Sequence, residues 1–212
     1  MRNNLFIALE GIDGSGKSTQ SKLLAETMTA QGYKIYSTFE PTDRPIGAMI
    51  RQILRGEMKA DDRTIAGLFV ADRLDHLLNE ENGIVKKLEE GFTVITDRYY
   101  FSSYAYHGTH MDMDWVINAN AMSASILRPD VNIFIDVPPE VSMQRVSRNR
   151  SSTELYETLD NLILVKEKFL EAFDKLKQEE IIKTVDGDQP VEAIAADIWK
   201  AIEEIHAKRL AV

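Results

Sequence analysis

The sequence predicts an α/β protein in three layers, a central, mainly parallel sheet of about five strands with helices on both faces. Three observations predict it. Short apolar, β-branched runs alternate with segments of helical spacing; those runs are nearly continuous rather than alternating in polarity; and no repeat, low-complexity tract or Gly/Ser linker interrupts the order. Continuous apolar runs are how parallel strands buried on both faces read. The 212 residues, 44% hydrophobic and 28% charged, suffice for a sizeable core, and the whole of 1–212 reads as one domain.

The elements follow in order. "LFIALE" (5–10) is a first strand that ends in a glycine turn, and "KSTQSKLLAETMTAQGY" is a helix by the spacing of Leu23, Leu24 and Met28, stopped at Gly32. "KIYSTFEP" is a second strand closed by Pro41, and "IGAMIRQILRGEM" and "DRTIAGLFVADRLDHLLNEENGIVKKLEEG" are helical. "FTVITDRYY" (92–100) and "VNIFIDVPP" (131–139) are the third and fourth strands. A basic patch and a helix occupy 140 to about 178, followed by a strand "IIKTVDG" and a helix "PVEAIAADIWKAIEEIHAKRL".

Net charge is −9, which excludes a broad nucleic-acid or anionic-membrane surface, so any anion must be met by local Arg and Lys. There are no cysteines, hence no disulfide and no thiolate metal site. The apolar run near the N-terminus is too short for a signal-peptide core, and no stretch approaches the ~18 apolar residues of a membrane span. A soluble cytoplasmic protein is expected.

"LEGIDGSGKSTQ" (9–20) fits Gly11-x4-Gly16-Lys17-Ser18, the phosphate-loop pattern, between a predicted strand and a predicted helix, where its mechanism needs it. Glycines let the backbone turn its N–H groups inward, and the helix start adds partial positive charge. Lys17 then reaches β- and γ-phosphates, Ser18 ligates Mg²⁺, and Thr19 hydrogen-bonds an α-phosphate oxygen. Asp13 is the odd residue: an acid is unfavourable against donor phosphates and is better placed facing a second substrate, unless it is only a solvent-facing turn aspartate.

Other clusters carry chemistry. Asp97-Arg98 ends a buried strand at the carboxyl edge, where ligands of open sheets gather. Asp97 suits Mg²⁺ held through water, and Arg98 is a planar fork for bridging two phosphoryl groups, unless the two merely close the strand as an ion pair. Phe69 and Arg73 sit at i and i+4 on one helix face, able to stack a base and donate to its carbonyl; an apolar core stripe is the plainer reading of Phe69. Arg51 either points charge at an acceptor phosphate or is a solvated helix arginine. Arg145, Arg148 and Arg150 suit a lid over about 145–157 that folds on transferred phosphates, or a solvated helix face.

With "EGIDGSGKST", "EPTDRPIG", "LFVADR", "DRYYFSSYAYHG", "RPDVNIFIDVPPEVSMQR" and "VDGDQPVEAI" in this order, the chain resembles the thymidylate kinase family, nucleoside monophosphate kinases of the P-loop NTPase fold with a small mobile lid. The resemblance implies transfer of a phosphoryl group from Mg-ATP to dTMP, in dTTP synthesis, by a homodimer. It implies that Gly11, Ile12, Asp13, Gly14, Ser15, Gly16, Lys17, Ser18 and Thr19 cradle the ATP phosphates, with Asp186-Gly187 against adenine. It places Asp13 on the acceptor side, Phe69 on thymine, Arg73 at its O4, Glu40 and Arg51 in the acceptor pocket, Arg98 on the acceptor phosphate, and Ser102 and Ser103 along the base edge. The loop holds no arginine while the lid has Arg148 and Arg150, which resembles the bacterial type. His107 stands near the thymine edge where many bacterial members have glutamine. The competing readings are a deoxynucleoside kinase, with Glu40 as base, and a phosphate-loop switch; the arginines around an acceptor phosphate and the absence of an "NKxD" motif favour neither.

Overall fold

In the structure, a computed structural model, residues 4–149, 156 and 158–210 are described, with side chains for all of these except 148–149 and 208–210. Five strands, β1 (Phe6–Glu10), β2 (Ile35–Phe39), β3 (Thr93–Asp97), β4 (Val131–Asp136) and β5 (Ile182–Asp186), form one sheet in the order β2-β3-β1-β4-β5, every pairing parallel. β1 lies at the centre and all five of its residues are buried. Successive side chains of a strand point to opposite faces. Accordingly Phe6 and Ala8 join one apolar cluster, while Leu5, Ile7 and Leu9 join the other. Both faces are covered at the centre, which is why β1, β3 and β4 read as nearly continuous apolar runs, while the edge strands β2 and β5 are part-exposed.

The first cluster is closed by α3 (Asp62–Leu78), α4 (Ile84–Glu89), α5 (Tyr100–His107) and α9 (Leu159–Leu176), through side chains such as Leu77, Leu88, Phe101 and Phe169. The second is closed by α1 (Lys17–Ala30) and α10 (Val191–Leu210), through Leu24, Met28, Ile194 and Ile198. The predicted three-layer order stands.

The structure divides some stretches more finely. The segment 62–91 is two helices, broken where the Gly83 amide donates to the Asn79 carbonyl at 3.0 Å; a Cβ on Gly83 would meet that oxygen at 2.5 Å. The third strand stops at Asp97, and Tyr99-Tyr100 already belong to the start of α5. Residues 100–126 form α5 and two further short helices, α6 (Met113–Ala119) and α7 (Ala121–Ile126). The helical stretch from 140 is α8 (Pro139–Asn149) followed by α9, capped by Thr158, whose hydroxyl oxygen accepts from the Asn161 amide at 3.3 Å. Most of the predicted lid, including Arg150, lies outside the described residues, as does the Arg148 side chain.

Candidate active site

The chain leaves β1 at Glu10 and enters α1 at Lys17 through a turn with positive φ at Gly11, Gly14 and Gly16. A Cβ on Gly14 would meet the Ser142 carbonyl oxygen at 2.5 Å, and one on Gly11 the Ile135 carbonyl oxygen at 2.8 Å, so both close approach and backbone sign require glycine there. Gly16 caps α1 at φ 97 with open space where a Cβ would point, a concave run of backbone ahead of a helix N-terminus. The Lys17 ammonium donates to the carbonyls of Gly11 at 3.0 Å and Ile12 at 2.9 Å, folding its side chain back over this concavity. Burial, reinforced by Arg98, pushes its pKa down to about 8.

The end of β3 faces the loop. The Ser18 hydroxyl donates to Asp97 Oδ2 at 2.5 Å. Arg98 has φ 75, the one positive φ among the described non-glycine residues, and so holds its side chain in a direction that ordinary strand backbone would not give. Its Nη2 donates to Asp13 Oδ1 at 2.5 Å and its Nη1 to Ser102 Oγ at 3.1 Å. Tyr106 completes the clamp on Asp13: its hydroxyl donates to Oδ2 at 2.8 Å and accepts from the Asp13 amide at 3.0 Å.

Of the cavities that open from here among the described residues, two bear on the site. One, lined by residues 13–20 with Asp97, Arg98, Arg145 and Gln189, is the trough over the glycine turn. The other, of about 240 Å³, is lined by Pro41, Arg51, Phe69, Ser102, Ser103, Tyr106, His107 and Tyr156 among others. Among the described residues, only Asp13 and Arg98 line both. Phe69 is half-buried with its ring 5.1 Å from that of His107, on the cavity wall rather than in the core. Arg51 donates through Nη1 to the carbonyls of Pro41 at 2.8 Å and Thr42 at 2.5 Å, so it is held rather than solvated freely. His107 Nδ1 and Ser103 Oγ are buried without a hydrogen-bond partner among the described residues. Burial first, then Arg73 and His110, push the His107 pKa down to about 3, so its imidazole is neutral.

Arg73 and Glu40 stand apart from this wall. Both side chains are 1% exposed, and neither lines the cavity that holds Phe69. Arg73 donates through Nε at 2.9 Å and Nη2 at 2.6 Å to Glu40 Oε2, and through Nη1 to Asn120; Glu40 Oε1 faces His76 Nδ1 at 3.1 Å. A buried guanidinium needs such a counter-charge, and this pairing supplies it. Asp186 and Gly187 lie beside the trough without lining it: the Gly187 carbonyl accepts from Arg145 Nη2 at 3.1 Å. Arg145, grouped with the lid in the sequence, therefore joins α8 to the segment expected against adenine. Tyr106, Asn120 and Glu10 carry no signal in spacing; Tyr106 is legible only as part of "DRYYFSSYAYHG" and Glu10 only as part of "EGIDGSGKST".

Ser18 and Asp97 fit Mg²⁺: a hydroxyl and a carboxylate side by side are hard oxygen donors, few enough for an ion that keeps its waters and phosphate ligands. No group of three or more His, Cys, Asp or Glu able to hold a metal occurs among the described residues, and none of the described helices is long and apolar enough to cross a membrane.

Comparison with known proteins agrees with this geometry. The thymidylate kinase family model matches residues 9–198. The chain is 37% identical over 199 residues to a probable thymidylate kinase of Pyrococcus horikoshii, covering 91% of this chain and 93% of that protein. It is 36% identical over 204 residues to a probable thymidylate kinase of Caldivirga maquilingensis, covering 94% of each, and 36% identical over 209 residues to one of Methanocaldococcus jannaschii, covering 97% and 94%.

Proposed function

The chain belongs to the thymidylate kinase family, and on that premise we propose that it moves the γ-phosphoryl group of ATP onto the 5′-phosphate of dTMP, giving dTDP and ADP. The observation that carries this reading is the shared wall: a glycine-turn trough and a cavity with an aromatic face are both lined by Asp13 and Arg98. A phosphoryl group passing between them crosses the Arg98 guanidinium.

In this reading the amides of residues 11–19 and the Lys17 ammonium hold the donor phosphates, with Asp186-Gly187 beside the adenine. The base stacks on Phe69, with Ser103 and His107 at its edge, while Glu40 and Arg73 underpin that face from behind. Arg51 and Arg98 take the acceptor phosphate, and Asp13 lies on the acceptor side. The acceptor is already an anionic nucleophile, so no general base is needed; alignment and charge neutralisation supply the rate. Ser18 and Asp97, the latter through water, would hold Mg²⁺, which would supply charge neutralisation at the donor phosphates. Arg148 and Arg150 belong to a lid over about 145–157 of a single domain spanning 1–212. A homodimer in the cytoplasm completes the proposal; a monomer mass by light scattering would remove the dimer.

The test is ADP formation by the purified chain with dTMP, dUMP, dCMP, dGMP, AMP and thymidine in turn. Turnover with dTMP well above the rest is expected, and Lys17→Ala should lower it by orders of magnitude with the fold intact. Equal rates across all acceptors, or preference for thymidine, would overturn the reading.

A further inference from the structure

Glu10 ends the central strand, one residue before the glycine turn, and its side chain is wholly buried. A carboxylate in that position must be doing something that an apolar residue would not, because burial without partners is costly. Its two oxygens meet two donors. Oε1 accepts from the Tyr99 amide at 2.9 Å, and Oε2 accepts from the Ser102 hydroxyl at 2.5 Å. Both contacts lead to Arg98. The Tyr99 amide belongs to the peptide that follows Arg98, and Ser102 Oγ accepts from Arg98 Nη1 at 3.1 Å.

The chemistry of the hydroxyl decides the direction. Serine has one proton to give. With that proton committed to Glu10, the oxygen faces the guanidinium as an acceptor only. One carboxylate thus fixes the backbone just after Arg98 and one prong of its side chain. The other prong is held by Asp13, at 2.5 Å. Arg98 needs this: its φ of 75 is a conformation that an L-residue keeps only when its surroundings impose it.

We propose that Glu10 is a positioning residue for Arg98, acting through the Ser102 hydroxyl and the Tyr99 amide. This rests on the reading of Arg98 as the arginine between donor and acceptor phosphates. Ser102, expected along the base edge, is then the bridge of this relay.

The test is a set of steady-state measurements on the full chain with Glu10→Gln, Ser102→Ala, Arg98→Ala and the doubles Glu10→Gln/Arg98→Ala and Ser102→Ala/Arg98→Ala. Glutamine keeps the shape but can accept from only one of the two donors. In the otherwise native chain, Glu10→Gln and Ser102→Ala should each lower kcat about 10- to 100-fold, the range of a misplaced catalytic group, with KM for ATP within about twofold. In the Arg98→Ala background either change should cost less than about twofold more, because nothing is left to position. Ser102→Ala leaves the Glu10–Tyr99 bond in place and so keeps the test open if Glu10→Gln folds poorly. Native kcat in both single variants, or the same fractional loss in both backgrounds, would overturn the positioning role and leave the function untouched. Native turnover in Arg98→Ala would instead overturn the reading of Arg98 and this proposal together.

Discussion

Arg73 shows what a single residue's surroundings decide. Its spacing from Phe69 places both on one face of α3, and the structure agrees, yet only Phe69 reaches the cavity. The difference lies in partners that no local pattern announces: Glu40 is 33 positions away and Asn120 is 47. Removing one member of a buried ion pair leaves the other charged and unpaired in a low dielectric. Arg73→Ala should therefore cost about 3–5 kcal/mol of unfolding free energy, whereas Arg73→Met with Glu40→Leu should recover most of it. Urea unfolding of the three proteins decides this; a double variant as unstable as Arg73→Ala would refute the pairing as the main role of Arg73 in stability. Phe69, by contrast, is legible from sequence as an aromatic at helical spacing, but whether it faced core or cavity was not, because both give the same stripe.

At the scale of elements, legibility tracks burial. The three inner strands could be read because both their faces are covered, whereas the part-exposed edge strands β2 and β5 are marked only by alternation with helices; the sheet order β2-β3-β1-β4-β5 has no local signal. α5 could not be read, since all eight of its residues are buried and no polar face marks a helical period. The sequence marks α2 (Pro45–Leu54) as a helix but not how closely it is seated: a Cβ on Gly47 would meet the Thr42 carbonyl oxygen at 1.9 Å and its amide nitrogen at 2.6 Å. Backbone atoms cannot rotate aside. Gly47→Ala should push α2 outward, costing about 1–3 kcal/mol or more in stability. Arg51 rides on that helix and reaches back to the Pro41 and Thr42 carbonyls, so the KM for dTMP should rise while that for ATP changes little. Gly67 on α3 is the control: it is exposed, has open space at its Cβ, and on substitution by alanine should gain about 0.5–1 kcal/mol. Thermal unfolding and dTMP titration of both variants check the pair. A silent Gly47→Ala would mean that α2 is not seated by that contact.

For the whole molecule, the balance is between a stable sheet and a charged site built at its centre. The chain carries −9 overall, yet the site gathers Lys17, Arg51, Arg98 and Arg145, a local cationic patch that the overall charge conceals but the motifs reveal. Its stability consequence shows in two buried groups. Burial raises the Glu10 pKa from 4.5 to about 7, against the opposing pull of Ser102 and Arg98, and burial lowers that of Lys17 from 10.5 to about 8. The folded state then binds the Glu10 proton more tightly than the unfolded chain, so this contribution is full below pH 4.5 and is lost as pH rises through about 7. The folded state binds the Lys17 proton more weakly, so its contribution improves as pH rises from about 8 to 10.5. Between about 7 and 8 each group is at least half charged and both cost stability, on the order of 3 kcal/mol each before their mutual attraction. That is the range in which the roles proposed for Lys17 and for Glu10 require both in charged form. Unfolding free energies of the native chain, Glu10→Gln and Lys17→Met between pH 4.5 and 10 test the argument. Relative to the native chain, Glu10→Gln should gain stability steadily from pH 4.5 to 7 and then level off, while Lys17→Met should hold its advantage up to about pH 8 and lose it above. A difference curve of opposite slope in either window would mean that these charges are not borne by the fold.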